Sequence, residues 1–200
     1  MLNSHETKIE LDIIQPCYNP LPEWEQSVLE HFKEIKSLMP DVTFNLIIVN
    51  DGSVKNVDKA RVEVLRKHIP AFDFIEMPKN CGKGAALRTG VSASRGTYQI
   101  YTDIDFPFEL KHVSEIYALL KNNHADIISG TRSQKYYSTL SPQRLIASRM
   151  SQLLNRIFLR LPFNDTQSGI KGFNNKGREV FLRTTIDRYL ADTEFLALAV

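Results

Sequence analysis

Two rhythms of hydrophobic positions alternate along this chain, one of period two and one of period near 3.6. Ile9-Glu10-Leu11-Asp12-Ile13-Ile14 alternates as a strand, closed by Pro16. Pro22 suits a helix start, and Trp24, Val28, Phe32, Ile35 and Met39 then recur at helical spacing. Phe44 to Val49 is almost continuously apolar, as expected of a strand buried on both faces of a parallel sheet. A helix carrying Val57, Ala60, Val64 and Leu65 follows, then a short strand Phe72–Glu76. A small-residue helix through Ala85, Ala86, Leu87 and Val91 leads to the strand Thr97–Tyr101. Leu110 to Asn122 reads as an amphipathic helix and Asp126–Gly130 as a strand. A long helical pattern begins at Ser141-Pro142 and runs to about Leu161, and Ile170–Phe173 forms a last short strand. Strand and helix alternating at these lengths predict an α/β fold, a mostly parallel sheet with helices on both faces. Ligands bind such sheets at the carboxyl ends of the strands. The polar loops of this chain fall at those ends.

Composition narrows the class. The 200 residues suit one domain with a sizeable core. Hydrophobic content of 42% and charged content of 24% are those of a soluble globular protein. A formal net charge of +2 gives no global field toward nucleic acid, and no nucleic-acid module signature is present. Cys17 and Cys81 form no metal-ligand pattern, so free thiols in a reducing compartment are expected. No apolar run approaches the ~20 residues that span a bilayer, and the N-terminus lacks a signal-peptide layout. The apolar end, Leu196 to Val200, reads as an unfinished element. The expectation is a single domain over residues 1–200, truncated at its C-terminal end. The five histidines lie mostly on predicted helix surfaces or ends and receive no role.

The candidate chemistry centres on Thr102-Asp103-Ile104-Asp105-Phe106. They follow the strand Thr97–Tyr101, and residues two apart on a strand share a face, so Asp103 and Asp105 aim their carboxylates together. Paired carboxylates repel unless a cation lies between them. Oxygen ligands suit magnesium or manganese, which keep positions open for water and substrate phosphates. An acidic turn after a strand is the plain alternative. Pro16-Cys17-Tyr18-Asn19-Pro20 reads as a loop, either a strand-to-helix turn or a fixed backbone that holds a flat base. Asp51, at the end of a buried strand, can accept hydrogen bonds from a ribose or base, or can simply form an Asp-Gly turn. Asn80-Cys81-Gly82-Lys83-Gly84 offers backbone amides, a helix N-terminus and a lysine, which together suit phosphate. It matches neither the Walker loop nor the dinucleotide fingerprint, which argues against kinases and nicotinamide enzymes. The segment Gln143 to Leu161 interleaves arginines with apolar residues. It is either a core helix with a solvated arginine face or a basic amphipathic helix on a membrane surface.

Pro16-Cys17-Tyr18-Asn19, Val49-Asn50-Asp51-Gly52-Ser53, Asn80-Cys81-Gly82-Lys83-Gly84, Asp103-Ile104-Asp105 and Gly130-Thr131-Arg132 stand in the order seen in family 2 glycosyltransferases. The resemblance covers about Leu11 to about Glu194. Asp165-Thr166-Gln167-Ser168-Gly169-Ile170-Lys171-Gly172-Phe173 is similar to the polyprenyl-phosphate branch, and most of all to dolichyl-phosphate glucosyltransferases. Mannosyltransferase relatives often carry Gln shortly after the second Asp, where this chain has Phe106-Pro107. The resemblance implies a GT-A, Rossmann-like sandwich, a nucleotide-sugar donor, Mg2+ or Mn2+, and inverting transfer. It places Pro16, Tyr18, Asn19 and Asp51 on the nucleoside, and Gly82 and Lys83 near the diphosphate. Asp103 and Asp105 would hold the metal, with Asp105 the more direct ligand. Arg132, Arg144 and Ser148 would bind the acceptor phosphate, and Asp165 and Gln167 would border the reacting sugar. Asp192-Thr193-Glu194 matches a late acidic pair whose role stays open.

The expected function is therefore metal-dependent transfer of a hexose from a nucleotide sugar, UDP-sugar before GDP-sugar, to a polyprenyl phosphate at the cytoplasmic face of the membrane. A phosphate monoester, with second pKa near ~6, is mostly a ready nucleophile at neutral pH. A sugar-hydroxyl acceptor in surface polysaccharide synthesis would instead require a base such as Asp165 or Asp192. A non-catalytic nucleotide-sugar binding module and a nucleotidyltransferase are the further alternatives.

Overall fold

The computed structural model describes residues 8–132, 143 and 165–200. The elements run β1 (Leu11–Cys17), α1 (Trp24–Leu38), β2 (Phe44–Asn50), α2 (Lys59–His68), β3 (Phe72–Glu76), α3 (Lys83–Ala93), β4 (Tyr98–Tyr101), α4 (Lys111–Lys121), β5 (Ile127–Ser129), β6 (Lys171–Asn174), α5 (Asn175–Leu182) and α6 (Ala191–Leu198). The sheet order is β3-β2-β1-β4-β6-β5. Strands β3, β2, β1 and β4 are parallel, whereas β6 is antiparallel to both of its neighbours. One side of the sheet is thus the expected parallel array, and the other is mixed. Apart from Gln143, which is helical and exposed, the predicted helix from Ser141 to about Leu161 lies outside the described residues.

Each sheet face carries its own core. Leu11, Ile13, Leu46, Ile48 and Ile100 pack under α1, α2 and α4, through Val28, Ile35, Leu65, Val113, Ile116 and Leu120. Ile14, Ile47, Val49, Tyr101 and Phe173 pack under α3, α5 and α6, through Leu87, Val91, Phe181 and Phe195. Burying one such side chain contributes about 1.5–3 kcal/mol, so central strands apolar on both faces anchor the domain. In α2 the inward residues are Val62 and Leu65, and Val64, which the apolar spacing placed inward, is exposed.

Pro16 does not end β1. The strand continues to Cys17, with Pro16 in register with Val49. The Ile14 carbonyl accepts from Thr102 N on the β4 side, and the Cys17 carbonyl accepts from Asp51 N on the β2 side. By strand alternation, Pro16 faces the β4 side, where pairing stops at Ile14–Tyr101. Its missing N–H therefore falls where no ladder partner exists.

The parallel strands β1, β2 and β4 all end on one edge. Because β6 runs the other way, its start meets that same edge, placing Gly169 and Lys171 beside Asp103 and Tyr101. The reversal gathers residues distant in sequence around one opening.

Candidate active site

A cavity of about 410 Å³ opens at this edge. Pro16, Tyr18, Asn19, Asp51, Gly82, Lys83, Asp103 and Asp105 all line it, joined by Arg188 and Tyr189. Arg132, Asp165 and Gln167 are not among its described lining residues. Arg144 and Ser148 lie outside the described residues.

Strand β4 ends at Tyr101, so strand alternation is not what brings the two aspartates together. Asp103 and Asp105 sit in a turn closed by Phe106 N donating to the Asp103 carbonyl at 3.1 Å, with Phe106 at φ 44. Both still face the cavity. Lys83 Nζ lies 2.6 Å from Asp103 Oδ1. Asp103 Oδ2 packs so closely over Gly169 that a Cβ there would collide with it. The Lys83 ammonium therefore holds the carboxylate in space that Gly169 leaves open. Among the described residues no three His, Cys, Asp or Glu side chains converge on one point. The protein thus offers a pair of carboxylates beside open space. That donor set fits a hard divalent ion whose other ligands are water and phosphate oxygens.

The loop before α3 departs from its expected role. Its amides do not form an open phosphate cradle. Asp51 Oδ1 accepts from Cys81 N at 2.7 Å, and Oδ2 accepts from Gly82 N and Asn80 Nδ2, both at 2.8 Å. The N–H groups of Gly84 and Ala85 donate to the Asp187 carbonyl at 2.7 and 3.3 Å. The helix N-terminus is thereby capped by the chain itself. Gly82 sits at φ 109, and a Cβ would come within 2.5 Å of the Asp187 carbonyl oxygen, so this position needs glycine. What the loop presents to a ligand is the Lys83 side chain. Asn19 is similarly engaged: its side-chain oxygen accepts from Val54 N and Lys55 N at 2.9 and 3.1 Å, bracing the next loop. Tyr18 is half exposed at the mouth, its ring available. Cys17, buried behind it, has its thiol pushed by burial up to about 12, which keeps it unreactive.

Arg132 and Asp165 are brought together as a pair. The guanidinium donates to Asp165 through Nε at 2.9 Å and Nη2 at 2.6 Å, and the Arg132 backbone N–H adds a bond at 2.8 Å. Burial alone would raise the Asp165 pKa, but these bonds outweigh it and hold the carboxyl below its ordinary value. Gln167 N also donates to Asp165, at 3.2 Å.

The late acidic residues are likewise engaged. Asp192 Oδ1 accepts from Tyr101 Oη at 2.5 Å and from Lys171 Nζ at 2.8 Å. Glu194 caps Thr185 N and Ile186 N at 2.8–3.0 Å. That cap, with the bonds from Gly84 and Ala85 to Asp187, straps residues 185–190 across the start of α3. Arg188 and Tyr189 reach the cavity from this strap. Sequence reasoning assigned them nothing. The signal available was an exposed Arg-Tyr pair between a helix and an acidic run.

Residues 12–182 match the family model described as glycosyl transferase family 2. A dolichyl-phosphate beta-glucosyltransferase of Trichomonas vaginalis is 28% identical over 96% of this chain and 61% of its own length. That of Dictyostelium discoideum is also 28% identical, over 96% of this chain and 62% of its own. The chain thus spans about three-fifths of the length of these curated relatives. Among solved structures, the mannosyltransferase PcManGT of Pyrobaculum calidifontis, in complex with GDP-Man and Mn2+, superposes with a TM-score of 0.60 at 16% identity, over 95% of this chain and 52% of that one. The sheet, its helices on both faces and these neighbours establish the GT-A fold. The match over most of its length makes this chain a member of glycosyl transferase family 2.

Proposed function

We propose that this domain transfers a hexose, with inversion, from a nucleotide sugar to a polyprenyl phosphate, with a UDP-sugar ahead of a GDP-sugar as donor. Residues 1–200 are read as one catalytic domain acting at the cytoplasmic face of a membrane. No helix among the described residues is long and apolar enough to cross a bilayer, so attachment would come from the surface or from other parts of the protein. The names of the Trichomonas and Dictyostelium relatives support the acceptor, and the Pyrobaculum complex supports a nucleotide-sugar donor and a divalent ion.

One observation carries the choice of acceptor. Asp165 and Asp192, the carboxylates that could serve as base for a sugar hydroxyl, are both held by protein donors and both pushed below the ordinary carboxylate range. A base so stabilised as an anion accepts a proton poorly. A phosphate monoester needs no such base.

In this reading Tyr18 offers a ring face to the base, and Pro16 and Asn19 shape its seat. Asp51 fixes the loop that aims Lys83. Lys83 meets the diphosphate, and its ammonium offsets charge on the leaving group. Asp103 and Asp105 would hold Mg2+ or Mn2+, which when bound supplies Lewis-acid stabilisation of that group. An acceptor phosphate oxygen attacks the anomeric carbon as the bond to the diphosphate breaks. Arg132, Arg144 and Ser148 would bind that phosphate, since a guanidinium fork pairs bidentately with phosphate oxygens.

The test is transfer of labelled hexose to a short polyprenyl phosphate, with UDP-glucose and GDP-mannose run in parallel and a free-hydroxyl sugar as competing acceptor. Product on the lipid phosphate supports the reading. Product on the sugar hydroxyl alone, or transfer unchanged in Asp105→Asn, overturns it.

A further inference from the structure

Beneath the cavity lies a closed set of charges that donor and acceptor binding leave unused. Lys171, fully buried at the start of β6, donates to the Ser168 carbonyl at 2.6 Å and to Asp192 Oδ1 at 2.8 Å. Tyr101, paired with Lys171 across the sheet, donates to the same Oδ1 at 2.5 Å. The other carboxylate oxygen, Asp192 Oδ2, lies 3.8 Å from Lys83 Nζ. Lys83 therefore stands between two anions, Asp103 at the cavity wall and Asp192 below it.

A buried ion pair is a poor device for stability, because desolvation offsets most of the attraction and an apolar replacement often does as well. Its geometry is the more telling property. A lysine on four flexible bonds loses rotamer freedom when fixed, and one carboxylate at the rim holds it only while that carboxylate has no other cation to serve. Asp192 is different. It is locked by Tyr101 and Lys171, lines no part of the cavity and cannot be drawn toward a ligand.

We propose that Asp192 is a positioning residue, not a proton acceptor: it holds the Lys83 ammonium at the cavity floor, where the donor diphosphate meets it. This rests on the assignment of the diphosphate to Lys83 above.

The experiment measures binding of UDP and of GDP by calorimetry, with Mn2+ present, to the full chain and to Asp192→Asn, Lys83→Met and the double variant. Asp192→Asn is expected to weaken binding about tenfold, and Lys83→Met at least as much. The double variant should be no weaker than Lys83→Met alone, since coupled residues are non-additive. In steady state, Asp192→Asn raises the donor KM more than it lowers kcat, and the acid limb of the kcat–pH profile keeps its midpoint. Losses that add, or normal diphosphate binding with kcat lost and the acid limb gone, overturn the proposal. Tyr101→Phe covers the case in which Asp192→Asn does not fold. It removes one bond to Asp192 while keeping the ring, and is expected to weaken binding about threefold in the native background and not at all beside Lys83→Met. Equal effects in both backgrounds refute the coupling. If the native chain binds neither diphosphate, the functional reading falls and this one with it. If it binds and the variants match it, this inference alone falls.

Discussion

Asp51→Ala separates two uses of one carboxylate. The side chain accepts three hydrogen bonds from Asn80, Cys81 and Gly82, each 2.7–2.8 Å long. A bond to a charged acceptor contributes about 1.5–3 kcal/mol, so simple addition gives roughly 5–9 kcal/mol. Asp51 borders the cavity, and water entering the space left by the carboxylate would restore part of this, leaving about 3–5 kcal/mol. A chain of this size loses about 2–4 °C per kcal/mol, so the midpoint should fall by roughly 6–20 °C. Asp51→Asn should sit between, because the amide keeps one acceptor oxygen but sets a donor against donors. The assay is thermal unfolding followed by circular dichroism without nucleotide, with UDP affinity measured below the transition. A midpoint within about 2 °C of native, with UDP binding abolished, would refute the reasoning. It would show that the carboxylate serves the nucleoside and not the loop.

Two other perturbations follow from the geometry. Gly169→Ala drives a methyl into Asp103 Oδ2, so Mn2+ affinity should drop at least tenfold although neither carboxylate is removed; unchanged affinity would show that Asp103 can rotate freely. Asp165 has its pKa depressed in the folded state, so the stability it contributes is complete above the ordinary carboxylate value near ~4 and is lost as pH falls through the lower folded value. Asp165→Asn should therefore lower the melting midpoint at pH 7, with a cost of about 3 kcal/mol from leaving a buried partner uncompensated, and the gap to native should close toward pH 2; a gap independent of pH would contradict the pairing.

Much of this was legible in the sequence because acidic residues follow the ends of largely apolar strands, Asp51 directly after β2 and Asp103 and Asp105 shortly after β4. Asp51, Asp103 and Asp105 announce a sheet edge in this way, and the cavity lies there. What stayed hidden depended on pairing across long separations. Nothing local says that Asp51 satisfies residues 80–82, or that Glu194 caps residues 185 and 186. The antiparallel β6 was equally hidden, since periodicity gives a strand but no direction, and that reversal is what puts Lys171 and Gly169 under the aspartate turn. Pro16 shows the same dependence: a proline stops a strand only where a neighbouring strand reaches far enough to need its N–H, and β4 pairing ends at Ile14–Tyr101.

The central claim, that Asp103 and Asp105 share a divalent ion with a nucleoside diphosphate, is tested most directly by electron paramagnetic resonance of Mn2+ titrated into the protein with and without UDP or GDP. Mn2+ should bind weakly alone and markedly tighter with one of the diphosphates, with the enhancement lost in Asp103→Asn and Asp105→Asn. Mn2+ binding that neither nucleotide changes, or that survives both substitutions, would contradict it.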